Sequence, residues 1–293
     1  MLAPWAQRSW DWRRLPAVFN REESSKMYTC GIDIGSRATK AVILDNDGKI
    51  AGRGLRLTGS KPLESTSQAF AEALLSAKIG RDEVAKVAST GYGRRLIQDH
   101  DFTFTVVSCH AAGARLTFPN TRNVLNVGAL RSCAIRLDEI GNVHRFRLND
   151  RCGAGVGRFL ERVADTLEIP LDEIGQLALF SKDPMQVPSV CSVLAESEVL
   201  NLITQNVKPA DILRGVYHAL SERLAALLKQ VWLDENETTI TGGVAKNAGM
   251  VKALEETLNV SLNVGHDAEF SGAIGAAVLA RNPDAVEIGA LDS

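Results

Sequence analysis

Between Tyr28 and Leu57 the chain reads YTCGIDIGSRATKAVILDNDGKIAGRGLRL: two β-rich runs hinged at DNDG and followed by a third, shorter run. The same order returns in RNVLNVGALRSCAIRLDEIGNVHRFRLN, from Arg122 to Asn149, again a run, a glycine, a run, a turn and a run. A pattern met twice predicts two sheets, because each copy has its own apolar face to bury.

Helical periodicity fills the intervals. KPLESTSQAFAEALLSAKIG sets Phe70, Leu74 and Leu75 at helical spacing and ends at Gly80. EVAKVASTGYG reads as a buried strand running into a glycine turn. Further helices are expected over 157–167 and 210–231, the second with Ile212, Val216, Leu220, Leu224 and Leu227 on one stripe. The expectation is two α/β domains of similar plan, residues 28–121 and 122–293, with the last helix packing back on the first. Residues 1–27 form an arm holding Trp5, Trp10 and Trp12 among arginines, either a poorly ordered tail or a surface that docks on a partner.

Composition excludes several classes. A formal net charge of -2 gives no nucleic-acid footprint. No apolar run reaches the ~18 residues that span a bilayer. The N-terminus lacks the apolar core of a secretory signal, so a cytoplasmic protein with reduced thiols is expected. Cys30, Cys109, Cys133, Cys152 and Cys191 are odd in number and widely spaced, which disfavours a disulfide framework. Cys30, Cys109 and Cys133 lie in apolar or strand contexts and read as packing residues. Cys152 differs, because it stands where a glycine-rich turn (CGAGVG) becomes a helix, and free N–H groups at a helix start favour a thiolate.

Three small-residue turns can handle phosphate. GIDIGSRATK places Asp33 at a strand end with Gly35, Ser36, Thr39 and Lys40 in the following turn. Asp33 could hold Mg²⁺ through water, or simply be a satisfied aspartate in a plain hairpin. TITGGVAKN offers Gly242 and Gly243 to a close-lying nucleotide, and FSGAIGAAVLA, with Gly272, enters a helix.

This order of turns resembles the actin, sugar-kinase and Hsp70 superfamily, which implies two RNase H-like domains with an interdomain nucleotide cleft. Within it, STGYGR, SCHAAGA, NDRCGAGVGRFLE, CSVLAESEVLNL, DILRGV and TGGVAKN resemble the BadF/BadG/BcrA/BcrD-type ATPases. These activate 2-hydroxyacyl-CoA dehydratases or serve benzoyl-CoA reductases. The resemblance covers nearly everything from Tyr28 to Ala280. It implies ATP with Mg²⁺ at Asp33, Gly35, Ser36 and Lys40, with Gly128 in the second hairpin and Gly242, Gly243 and Asn247 on the nucleoside side. It further implies a [4Fe–4S] cluster on a dimer axis, bound by Cys152 and Cys191 of each subunit. Glu196 and Glu198 match acids near the cluster-bearing helix, which makes Glu196 a catalytic candidate beside Asp33, or they form a solvated helix face. His110 also matches, without a role. The implied partners are ferredoxin as electron donor and a CoA-ester-reducing enzyme.

One departure bears on subtype. Homodimeric activators carry D-I-G-G-Q-D at the second hairpin, whereas Asn126 to Arg131 read NVGALR here. Asn126 holds hydrated Mg²⁺ more weakly than a carboxylate, and Leu130 cannot orient an attacking water. A GAL hairpin resembles one of the two unlike ATPase subunits of ATP-dependent benzoyl-CoA reductase, which pair with two catalytic chains. The competing expectations are a homodimeric dehydratase activator and, from another class, a small-molecule (sugar) kinase.

Overall fold

The structure, a computed structural model, describes residues 27–98, 100–149, 155–187, 192–231 and 237–283. The Trp-rich stretch through Lys26, Cys152 and Cys191 lie outside the described residues. The chain divides into two compact units, with divisions between Cys109 and His110 and between Ser271 and Gly272.

In the first unit β1 (Tyr28–Ile34), β2 (Ala38–Leu44), β3 (Ile50–Leu57), β4 (Val84–Gly91) and β5 (Phe102–Thr103) form one sheet in the order β3-β2-β1-β4-β5. The first three strands are antiparallel neighbours, while β4 runs parallel to β1 and β5 parallel to β4. Strand alternation sorts β1 between two helices. Cys30, Ile32 and Ile34 share a core with Ala69, Phe70, Ala73 and Leu74 of α1 (Pro62–Ala77). Gly31, on the opposite face, meets α8 (Ser271–Arg281) so closely that a Cβ there would lie 2.0 Å from the Ala273 carbonyl oxygen. The α1 helix stops before the expected Gly80. Lys78 takes the left-handed conformation (φ 58°), and the Lys78 and Ile79 N–H groups donate to the Leu75 and Leu74 carbonyls. Burial of Ile79 beside this turn supplies the apolar contact that fixes the stop.

The second unit repeats the plan. β6 (Asn123–Val127), β7 (Ser132–Leu137), β8 (Val143–Leu148), β9 (Thr238–Thr241) and β10 (Leu262–Val264) form a sheet in the order β8-β7-β6-β9-β10. Asp33, Gly35, Asp45 and Gly48 correspond to Asn126, Gly128, Asp138 and Gly141, each 93 positions later. The hairpin tips are built alike: Asp45 Oδ1 accepts from the Asp47 and Lys49 N–H groups, and Asp138 Oδ1 from those of Gly141 and Asn142. Helices α3 (Val156–Thr166), α4 (Ile174–Ala178), α5 (Ser192–Thr204), α6 (Pro209–Lys229) and α7 (Ala248–Leu258) carry this unit's core. The whole stripe expected on α6, from Ile212 to Leu227, is buried. α2 (Val106–Thr117) lies across the first division between units.

Sheet edges are protected in two ways. β3 carries Arg53 and Arg56, and β8 carries Arg145 and Arg147. The other two edges, β5 and β10, are 2 and 3 residues long. Among the described residues no helix is long and apolar enough to cross a membrane.

The contact of β1 with α8 leaves no room for a methyl group. Gly31→Ala is expected to lower unfolding stability by roughly 1–3 kcal/mol, the usual cost of overpacking, measured by urea denaturation.

Candidate functional site

Register sets the first hairpin's polar groups. In the β1–β2 pair Asp33 stands opposite Lys40 and Ile34 opposite Thr39, and the Gly35 N–H closes the turn on the Ala38 carbonyl at 3.1 Å. Lys40 Nζ lies 3.5 Å from Asp33 Oδ2, with both side chains largely buried. Gly91, at φ 91°, ends β4 beside them, and a Cβ there would lie 2.4 Å from Asp33 Oδ1. Gly93 N–H then donates to the Ile34 carbonyl at 2.9 Å, folding STGYGR over the strand end. Thr39 faces inward, where its hydroxyl lies 3.0 Å from that of Thr58, which also donates to the Gly35 carbonyl. It braces the turn from beneath, while Ser36 is half-buried at the tip. The pair provides a carboxylate suited to hydrated Mg²⁺ beside an ammonium suited to phosphate.

The second hairpin has the same frame with different chemistry. Asn126 stands opposite Thr241 in the parallel β6–β9 pair, as Asp33 stands opposite Thr90 in β1–β4. Gly242 follows with φ 91°, and a Cβ there would lie 2.6 Å from Asn126 Oδ1. A Cβ on Gly243 would meet nothing within 4 Å, so this backbone is open to a ligand. Gly128 N–H closes the turn on the Arg131 carbonyl at 2.9 Å.

That turn also serves a helix. The Gly157 and Arg158 N–H groups at the start of α3 donate to the Gly128 and Ala129 carbonyls, at 3.3 and 3.0 Å. Helix-start donors lack intrahelical partners, so the hairpin caps α3. Gly155 permits the approach, since a Cβ there would lie 2.2 Å from the Ala129 carbonyl oxygen.

The remaining candidates are more dispersed. Asn247 is committed at both ends of its amide: Oδ1 accepts the Met250 N–H that starts α7, and Nδ2 donates to the Tyr217 hydroxyl at 2.8 Å. Burial raises the Tyr217 pKa, partly offset by that hydrogen bond. Gly272 is buried as the second residue of α8. Glu196 Oε2 accepts from Arg162 Nε at 2.9 Å, tying α5 to α3, and Glu198 accepts from Asn201. Cys30, Cys109 and Cys133 are buried. Burial pushes the Cys30 and Cys109 thiols up to about 12, leaving both protonated and inert at neutral pH. Sequence reasoning missed Gly91 and Thr241 as site-builders, although the threonine–glycine pair ending both β4 and β9 is a legible signal. It also noted His110 without finding its contact, Nδ1 to Thr241 Oγ1 at 3.0 Å.

Two sheets of like plan with glycine turns at equivalent strand ends give a fold of the actin, sugar-kinase and Hsp70 type. The chain belongs to the BadF/BadG/BcrA/BcrD ATPase family, whose profile matches residues 30–280. It is 38% identical to the activator of lactoyl-CoA dehydratase from Anaerotignum propionicum, over 87% of this chain and 97% of that one. It is 37% identical to one of the subunits of benzoyl-CoA reductase from Thauera aromatica, over 85% and 92% respectively. The solved activator of 2-hydroxyisocaproyl-CoA dehydratase from Clostridium difficile, with bound ADPNP, superposes with a TM-score of 0.82. That pair is 33% identical, over 90% of this chain and 100% of the other.

The two neighbouring glycines separate folding from binding. Gly242→Ala, at a left-handed φ, is expected to cost roughly 1–3 kcal/mol of stability. Gly243→Ala is expected to stay within about 0.5 kcal/mol of wild type yet weaken ADP binding. Urea melts and isothermal titration calorimetry on the same preparations check both.

Proposed function

We propose that this chain is the ATP-binding, electron-transferring subunit of an ATP-dependent benzoyl-CoA reductase, carrying a [4Fe–4S] cluster through Cys152 and Cys191. It would act beside a second, related ATPase chain and two catalytic chains, with ferredoxin as electron donor. The observation that carries this reading is the capping of α3 by the Gly128–Ala129 turn. One hairpin then serves both a phosphate-handling turn and the helix that begins just beyond Cys152. A nucleotide shifts an equilibrium only through its different affinity for two states, and a shared turn gives that difference a path.

The residues fit the nucleotide. Lys40 places a cation at the first hairpin, Asp33 provides an oxygen donor suited to hydrated Mg²⁺, and Gly243 leaves room for close approach. The relative solved with ADPNP supports the same class of ligand. The cluster, when bound, supplies a one-electron carrier at low potential. This chain's part is to hold it by two thiolates, with Arg162 and Glu196 joining the helices that follow the two cysteines. Cytoplasmic residence follows from the need to keep those thiols reduced.

Overall identity does not separate a reductase subunit from a dehydratase activator, at 37% against 38%. The second hairpin favours the reductase: Asn126, Leu130 and Arg131 leave this chain without the acids expected of a self-sufficient ATPase. The match to the whole length of a dehydratase activator supports the homodimeric activator as the second reading.

Anaerobic purification alone and with the partner ATPase chain distinguishes the two. The reductase reading expects iron and an EPR signal only in the mixed complex, and their loss on Cys152→Ser. An iron-bearing homodimer that turns over ATP unaided supports the activator instead. A cluster retained by Cys152→Ser overturns the ligand assignment. Asn126→Asp is expected to raise ATP turnover of the chain several-fold, read as phosphate release.

A further inference from the structure

His110 is a buried imidazole on α2 whose Nδ1 meets the hydroxyl of a residue 131 positions away, Thr241. Thr241 is itself only 1% exposed and is the last residue of β9. Its neighbour Gly242 turns away at φ 91°, donates its N–H to the Ala268 carbonyl at 2.8 Å and presses against Asn126. The direction of the Thr241 peptide therefore determines where the open backbone of Gly243 points.

The first unit supplies the comparison. Thr90 precedes Gly91 just as Thr241 precedes Gly242, and Thr90 pairs with Asp33 as Thr241 pairs with Asn126. The Thr90 hydroxyl makes no conventional hydrogen bond among the described residues. Thr241, by contrast, meets an imidazole nitrogen, a strong hydrogen-bonding atom. Of two equivalent threonines, the one held by a ring nitrogen is the one that leads into a double glycine.

We propose that His110 is a positioning residue for the nucleotide, fixing Thr241 Oγ1 and through it the Gly242–Gly243 backbone. The proposal rests on reading the T-G-G turn as a nucleotide contact.

Three single variants and one double variant of the full chain test it, with the dissociation constant for Mg²⁺–ADP measured by calorimetry and stability by urea without nucleotide. His110→Phe keeps the ring and burial, His110→Asn keeps a polar atom near the Nδ1 position, and Thr241→Val keeps the shape of the threonine. His110→Phe and Thr241→Val are each expected to weaken ADP about 10-fold, as for loss of one hydrogen bond. The double variant is expected to be no weaker than either alone, and His110→Asn to recover most of the affinity. Wild-type affinity in Thr241→Val overturns the proposal, as do losses that multiply in the double variant or stability losses without a change in affinity. Should His110→Phe fail to fold, Thr241→Val and His110→Asn decide alone. If the wild-type chain binds no ADP, the nucleotide reading fails first and this one with it.

Discussion

The site depends on one close approach made twice: a side-chain oxygen on the central strand set against an α-carbon that bears no Cβ. Asp33 lies against Gly91 and Asn126 against Gly242, and both glycines take the same φ of 91°. Any other residue would push the oxygen away and strain the turn together. The polar group is thereby held at the carboxyl end of a strand in a partly parallel sheet, where ligands of open α/β folds bind.

Duplication makes the difference between the halves informative. The same frame carries a carboxylate with a lysine partner in the first unit and a neutral amide in the second. A dehydratase activator and a reductase component are almost equally similar to this chain over nearly its whole length, so global similarity reflects the shared frame. Two of the glycines after Cys152, Gly155 and Gly157, acquire a physical purpose here as well. They let α3 seat on the second hairpin, where a Cβ on either would meet the Ala129 backbone.

Much of the frame was legible in the sequence, because hairpins announce themselves through short-range rules. D-N-D-G and D-E-I-G each place an aspartate where it can accept neighbouring N–H groups, and the α6 stripe follows from helical period alone. What escaped depends on contacts between distant residues. Thr39 reads as a ligand-facing hydroxyl until Thr58 is seen beneath it, and Asn247 until Met250 and Tyr217 occupy its amide. Glu196 has the look of a catalytic acid or a solvated one, and only the fold supplies Arg162. The helix stop at Lys78 in place of Gly80 was hidden because a buried Ile79 outweighed the usual preference for glycine.

The treatment of the sheet margins has a consequence for handling the protein. Two exposed flanks carry arginines and the other two are only 2 or 3 residues long, so none offers a long, flat, uncharged ladder to a second molecule. Among the described residues, fibril seeding through strand addition is therefore opposed at each sheet edge. A concentrated preparation of intact molecules should resist templated polymerisation.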